Sequence, residues 1–278
     1  MSGYFGRGEA IGHAGELLQG AVRINGHISP FLVTLPMPGF RSEAKACASR
    51  HWSVSPHWKR KALRAAQAAC GRWGVRETMA IEIASEIPVG RGCGSSTADC
   101  VAAVRAVAAW ADVRHGAEVI AEIVHEAELA CDPTMFDCEP VAFLPREGRV
   151  LQRFSGRWPA MEVNVVDRGG AAVDTEACAV PRYTADELDE FERLLELAAI
   201  GFEAGDGEKL AHVAMRSAEI HQRHRPYAAW SALCDGSMRS GAWGVAIAHS
   251  GTVAAVLSAP AVAGKEAPRD VHLVGWGR

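Results

Sequence analysis

Ten residues from Pro88 to Thr97 read PVGRGCGSST, with three glycines at alternate positions followed by two serines and a threonine. Glycine at 90, 92 and 94 opens backbone conformations closed to residues with a side chain. The segment runs into TADCVAAVRAVAAWA, Thr97 to Ala111, whose alanine content and apolar spacing predict a helix with Ser95, Ser96 or Thr97 at its cap. A glycine-rich turn entering a helix is an anion site on physical grounds, because exposed N–H groups and the positive end of the helix dipole face one point. Phosphate is the natural occupant. A tight serine-capped turn explains the same spacing taken alone, so the flanking residues decide.

One phosphate-binding class is excluded and a second is weakened. The only Gly-Lys, Gly264-Lys265, is followed by Glu266, so no G-x-x-x-x-G-K-[ST] of a P-loop NTPase exists. A Rossmann domain needs Gly-x-Gly-x-x-Gly and an acidic residue about 20 positions on at a strand end, whereas Asp112 follows a helix. With 29 Lys+Arg against 33 Asp+Glu and a net charge of −4, the chain lacks the clustered basic excess of a nucleic-acid surface. Eight cysteines without a C-x-x-C pair read as reduced core residues. The N-terminus lacks a basic region followed by an apolar run, and no stretch reaches the ~18 apolar residues of a membrane span. The expectation is a cytoplasmic protein without a membrane or nucleic-acid partner, monomeric or homodimeric.

Along the chain, strands are expected at Ile28–Pro36, Met79–Ala84, Val141–Leu144, Val150–Phe154, Met161–Val166, Trp243–Ala248, Thr252–Leu257 and Val271–Val274. A second helix is expected at Ala117–Ala130. Thr184 to His224 is helical, broken at Gly201 and around Gly205-Asp206-Gly207, and Pro260–Arg269 is a loop. The composition shifts near residue 155. The class is α+β, divided into 1–155 and 156–278.

Glu86 to Asp99, EIPVGRGCGSSTAD, resembles the second motif of the GHMP kinases, the family of galactokinase, homoserine kinase and mevalonate kinase. Four further blocks are similar to one branch, the L-threonine kinases of cobalamin biosynthesis: Gly15–Gly20 (GELLQG), Cys131–Phe136 (CDPTMF), Val165–Thr175 (VVDRGGAAVDT) and Gly241–Thr252 (GAWGVAIAHSGT). The resemblance implies a two-domain fold: a ribosomal-protein-S5-like N-terminal ATP-binding domain and a ferredoxin-like C-terminal domain. It also implies ATP and Mg²⁺, and transfer of the γ-phosphate to the hydroxyl of L-threonine. Two alternatives stand beside it. One is a GHMP kinase acting on homoserine or another small hydroxylated metabolite, and the other is a non-catalytic ATP-binding homologue.

Carried over residue by residue, the resemblance assigns the nucleotide phosphates to Pro88, Gly90, Arg91, Gly92, Cys93, Gly94, Ser95, Ser96 and Thr97. It gives a metal role to Ser96 and to a carboxylate of the following helix. Glu122 and Glu126 share a helix face whereas Glu128 does not, and Glu126 is the expected ligand. Asp132 is the candidate general base, since a hydroxyl needs somewhere to lose its proton as the bond to phosphorus forms. Asp137 is the competitor. Gly15, Glu16 and Gln19 would face the acceptor, Glu16 receiving an α-ammonium, with Ser250, Gly251 and Thr252 in a third turn. His13 and Cys131 depart from the branch's pattern. His249 reads as a core histidine, and His212, His221 and His224 lack partners for a metal set.

Overall fold

The computed structural model describes residues 4–167, 181–227 and 229–260. Its spine is a long antiparallel hairpin, β1 (Gly6–Ile24) and β2 (His27–Ala48). The strands turn at Asn25-Gly26, where both residues have positive φ (49° and 82°), as a two-residue hairpin turn requires. The sheet runs β3 (Ser53–Ser55), β4 (Met79–Ser85), β2, β1, β8 (Gly244–Ile247), β9 (Val253–Ser258), β7 (Glu162–Asp167). Among the described strands only β3 and β4 pair in parallel, and a short hairpin of β5 (Val141–Leu144) and β6 (Arg149–Arg153) attaches to β2 at Leu32 and Phe143. A single register pair, Glu16 with Ile247, joins β1 to β8.

Among the described residues six helices cover this sheet: α1 (Arg60–Trp73), α2 (Ser95–Trp110), α3 (Ala117–Ala127), α4 (Ala185–Ala204), α5 (Gly207–His224) and α6 (Trp230–Arg239). Helix α2 is buried almost all round, so it carries alanine instead of an amphipathic stripe. It lies directly on the β1 backbone, where a Cβ on Gly8 would come within 2.2 Å of the Ala102 carbonyl. Helices α4 and α5 form an antiparallel hairpin against β1. A capping box starts α4: Thr184 Oγ1 accepts from the Glu187 N–H (3.2 Å) while the Glu187 carboxylate accepts from the Thr184 N–H (3.0 Å). Phe191 of α4 packs edge-on against Phe31 of β2 and fills the space left by Gly20. The main core is continuous from α1 and α2 through the sheet to α4 and α5.

The α+β class holds, with local differences. The interruption of the long helical segment is at Gly205 (φ 65°); Gly201 lies inside α4 with its Cα against Leu210, where a side chain would clash. The expected strand Ile28–Pro36 lies within the first half of β2, which runs on to Ala48. β1, α1 and α6 are elements for which no expectation was set. The expected strand Val271–Val274, the loop at Pro260–Arg269 beyond its first residue, and the later part of Val165–Thr175 lie outside the described residues. None of the described helices is long and apolar enough to cross a membrane.

Candidate active site

A cavity of about 420 Å³ opens where the start of α2, the chain after α3, the end of α5, strand β1 and the turn after β8 converge. Its floor is the glycine-rich segment. Gly90, Gly92 and Gly94 all have left-handed φ (70°, 84° and 70°). Gly94 is the N-cap of α2 and no side chain caps the helix, so the N–H groups of the first turn have no hydrogen-bond partner within the helix. This corrects the expected serine cap and leaves the anion site more open. The loop is fastened to β1 by the His13 N–H, which donates to the Cys93 carbonyl (3.1 Å). It is fastened from the other side by the turn Ser250–Thr252. A Cβ on Gly92 would lie 2.1 Å from the Ser250 carbonyl, and one on Gly251 (φ 107°) 2.3 Å from that of Arg91. The Thr252 N–H donates to the same Arg91 carbonyl (2.9 Å), and Asp167 accepts from the Thr252 hydroxyl and pairs with Arg91 (3.5 Å).

Of the residues expected at the nucleotide, Gly90, Gly92, Cys93, Gly94, Ser95, Ser96 and Thr97 line the cavity, while Pro88 and Arg91 do not. Ser250 also lines it. Gly251 and Thr252 brace the loop from outside, and so differ from their expected contact with the acceptor.

The carboxylate beside Ser96 is Glu128, not Glu126. Helix α3 ends at Ala127, three residues before the expected terminus, and Glu128 is its extended C-cap (φ −128°, ψ 130°), which turns the side chain inward. Glu128 accepts from the hydroxyls of Ser96 and, at 2.9 Å, Thr97, with Lys61 Nζ 3.3 Å away. Glu126 and Glu122 face solvent, the latter paired with Arg72. Burial raises the Glu128 carboxyl against the opposing pull of Ser96, Lys61 and Thr97. A hydroxyl and a carboxylate side by side at an anion-binding helix start are hard oxygen donors of the kind Mg²⁺ takes, so Ser96 and Glu128 fit that ion.

Asp132 follows directly. Its N–H donates to Thr97 Oγ1 (3.3 Å), and its Oδ2 accepts from His13 Nε2 (3.2 Å). The Gly15 N–H donates to His13 Nδ1 (3.2 Å), which needs a lone pair there and places the ring proton on Nε2, facing Asp132. Gly94 touches both, for a Cβ there would meet the His13 ring at 2.5 Å and Asp132 Oδ2 at 3.3 Å. Burial pushes the Asp132 carboxyl up, but His13, with His249 and Lys61, outweighs it and holds Asp132 below the usual carboxylate range. Asp137, the competitor, is committed to Arg105 (2.9 Å) and does not line this cavity.

Glu16 is the main departure on the acceptor side. Its side chain is fully buried behind the cavity wall, accepting from Thr34 Oγ1 (2.6 Å) and His249 Nδ1 (3.1 Å), so it supports His249 and does not meet an acceptor ammonium. Gly15 is likewise behind the wall. Gln19 lines the cavity, its Nε2 donating to the Ile247 carbonyl (3.1 Å). His249 reaches the cavity, as do His221 of α5 and Arg225 at the C-cap of that helix, contrary to a purely structural role for the first. Lys61 and Arg225 were missed because isolated charged residues carry no sequence signal until the fold gathers them, whereas Glu128 was weighed and passed over because the helix was expected to run on to Ala130. Among the described residues the only group with metal-ligand spacing is His13, Glu16 and Asp132, and hydrogen bonding accounts for it.

The family model for the N-terminal domain of GHMP kinases matches residues 60–138. No curated protein sequence matches the chain. In fold it is similar to mevalonate kinase of methicillin-resistant Staphylococcus aureus MRSA252 (19% identity, 91% of this chain and 90% of that one, TM-score 0.58). It is similar also to homoserine kinase of Cytophaga hutchinsonii (14%, 91% and 85%, 0.65). A third is mevalonate pyrophosphate decarboxylase of Streptococcus pyogenes (11%, 93% and 90%, 0.68). The glycine-rich loop, the start of α2 and Asp132 all lie inside the segment that the GHMP kinase N-terminal model matches, and the chain shares its fold with these structures over nine-tenths of its length.

Proposed function

We propose that the chain is an ATP-dependent small-molecule kinase that phosphorylates the hydroxyl of L-threonine, giving O-phospho-L-threonine for the aminopropanol linker of cobalamin. The observation that carries the kinase reading is the placement of Asp132. Its carboxylate is oriented by His13 and touches Gly94, the residue at which the phosphate loop becomes α2. A hydroxyl laid between the loop and Asp132 has both a phosphoryl group to attack and a base beside it. Phosphoryl transfer demands little covalent chemistry from the protein, so positioning and charge placement do most of the work. The loop glycines and the N–H groups of Ser95 to Thr97 hold the phosphates. Asp132 accepts the hydroxyl proton as the acceptor oxygen bonds to phosphorus and the bond to the ADP oxygen breaks. Ser96 and Glu128 are the residues that would hold Mg²⁺, and the ion would supply charge neutralisation at the phosphates. Lys61, beside Glu128, adds a positive group at the same end.

The threonine assignment rests on the five sequence blocks. The homoserine kinase among similar folds supports the second reading, homoserine as acceptor. The proposed division near residue 155 is supported by the sheet, since β6 pairs within the first half and β7 pairs with β9 in the second. A coupled ADP-release assay with ATP, Mg²⁺ and L-threonine, L-serine, L-homoserine or mevalonate, with phosphorus NMR of the product, tests the proposal. Threonine-dependent ADP and a phosphomonoester signal support it. ATP binding with no acceptor-dependent ADP would leave a nucleotide-binding protein without transfer.

A further inference from the structure

Helix α1 opens against electrostatic preference. Its N-cap is Lys59, Arg60 and Lys61 follow, Arg64 comes one turn on, and the first turn holds neither an acidic residue nor a side-chain cap. Positive side chains at the positive end of a helix dipole are unfavourable, so partners outside the helix hold them. Lys59 pairs with Asp99, a buried residue of α2 whose Oδ1 accepts from the Ser42 hydroxyl (2.7 Å). Arg64 Nη2 donates to the carbonyl of Ala127, the last residue of α3 (3.0 Å). Between these two fastenings, Lys61 Nζ lies 3.3 Å from Glu128 Oε1 and lines the cavity.

The two members of this last pair are unequally placed. The Glu128 side chain is 2% exposed and that of Lys61 32%. The hydroxyls of Ser96 and Thr97 fix the carboxylate but are neutral donors, and Lys61 brings the positive charge. A buried carboxylate without a counter-charge is costly. An ammonium therefore stands against the oxygen that also accepts from Ser96, in the pair of residues that fits Mg²⁺. Lysine suits a temporary post, because its charge is a point on a flexible four-carbon stem with no planar fork to lock onto a carboxylate. The loop from Gly92 to Thr97 lines the same cavity. Resting on the kinase reading above, we infer that Lys61 is a resident counter-ion: it neutralises Glu128 before Mg²⁺ and ATP bind, and passes to the phosphate oxygens when they do. Lys59 and Arg64 hold the helix start while the Lys61 side chain moves. Metal and nucleotide are then taken up jointly, since the carboxylate opens to a cation when phosphates draw Lys61 away.

The test measures binding to the full chain, using electron paramagnetic resonance of Mn²⁺, with the metal alone and with a non-hydrolysable ATP analogue. In Lys61→Met and Lys61→Gln, Mn²⁺ alone should bind on the order of tenfold more tightly than in the parent chain, and the analogue with Mn²⁺ on the order of tenfold more weakly. Adding Glu128→Gln to Lys61→Met should remove the gain in Mn²⁺ affinity. Lys61→Arg, which keeps the charge, should bind Mn²⁺ alone as weakly as the parent. If Mn²⁺ alone binds no more tightly once Lys61 is removed, or the gain survives Glu128→Gln, the inference fails while the kinase reading stands. If the gain appears but the analogue is held as in the parent, Lys61 is a fixed partner of Glu128 and the inference fails likewise. If Glu128→Gln by itself leaves binding of Mn²⁺ with the analogue unchanged, the metal assignment of the kinase reading falls and takes this inference with it.

Discussion

Asp132 and His13 form a pair whose protonation is set by each other more than by solvent. Take His13 away and burial, the largest influence on Asp132, loses its main counterweight. In His13→Gln the Asp132 carboxyl rises, so the acid limb of the kcat/KM profile moves to higher pH, with kcat down roughly 10²-fold. Asp132→Asn should abolish transfer and leave ATP binding intact in a direct binding titration. The pair also ties stability to pH. Asp132 lies below its ordinary 3.8, so its contribution is present above that value and is lost as pH falls through the folded value. Asp132, then Glu16, lift His13 above its ordinary 6.5 against burial, so its contribution is present below 6.5 and is lost as pH rises through the folded value. Urea unfolding across pH ~4 to ~8 should therefore show a flatter profile in His13→Gln than in the parent chain. For the metal carboxylate, Glu128→Gln should raise the Mg²⁺ needed for half-maximal activity at least tenfold, roughly the loss of one charged ligand. Glu126→Gln should change nothing. Sequence spacing chose the latter because it assumed that the helix continued; a cap geometry three residues earlier sent Glu128 inward.

At the scale of elements, the glycine-rich loop, α2, α3 and the strands β4 to β9 were legible because periodicity and turn residues agree with the fold. β1 was not, although Asn25-Gly26 marks a hairpin. Its residues from Gly12 to Val22 are nearly all buried on both faces, so the alternation that identifies a strand is absent, and Gly6 and Gly8 admit α2 while Gly20 admits Phe191. α1 begins at Arg60 with charged residues and small alanines, a weaker signal than its burial implies. Where the local signal was strong, a single side chain carries it. Thr184→Ala should destabilise the chain by ~1 kcal/mol, read by denaturant unfolding, since it removes one half of the capping box of α4. Gly251→Ala strains a residue at φ 107° and drives a methyl group into the Arg91 carbonyl. The phosphate loop must shift, and ATP affinity should fall well before the fold is lost.

Across the whole molecule, the site is assembled from segments far apart in the chain: β1, the start of α1, the loop before α2, the turn after α3, the end of α5 and the turn after β8. That dispersal explains why its chemistry was only partly visible in advance. Residues within one motif, such as Gly90 to Thr97, announce themselves together; Lys61, Glu128 and Arg225 meet only after the sheet is built. One contact underlies the assembly, the close seating of α2 on Gly8. Gly8→Val would force α2 away from β1, and overpacking of this kind costs ~1–3 kcal/mol or more. Thermal unfolding would register the loss, and the loop at the head of α2 would move with it.

Cys93 gives this assembly a clock. Its thiol lies in the phosphate loop, 1% exposed, and burial, with Asp167 and Asp132 nearby, pushes it up to about 12. A thiol so placed does not react where it sits, so the pace at which a maleimide captures it, followed at the Cys93 peptide by mass spectrometry after Cys47, Cys138 and Cys178 are replaced by serine, measures how often the clamp between Arg91 and Gly251 lets go.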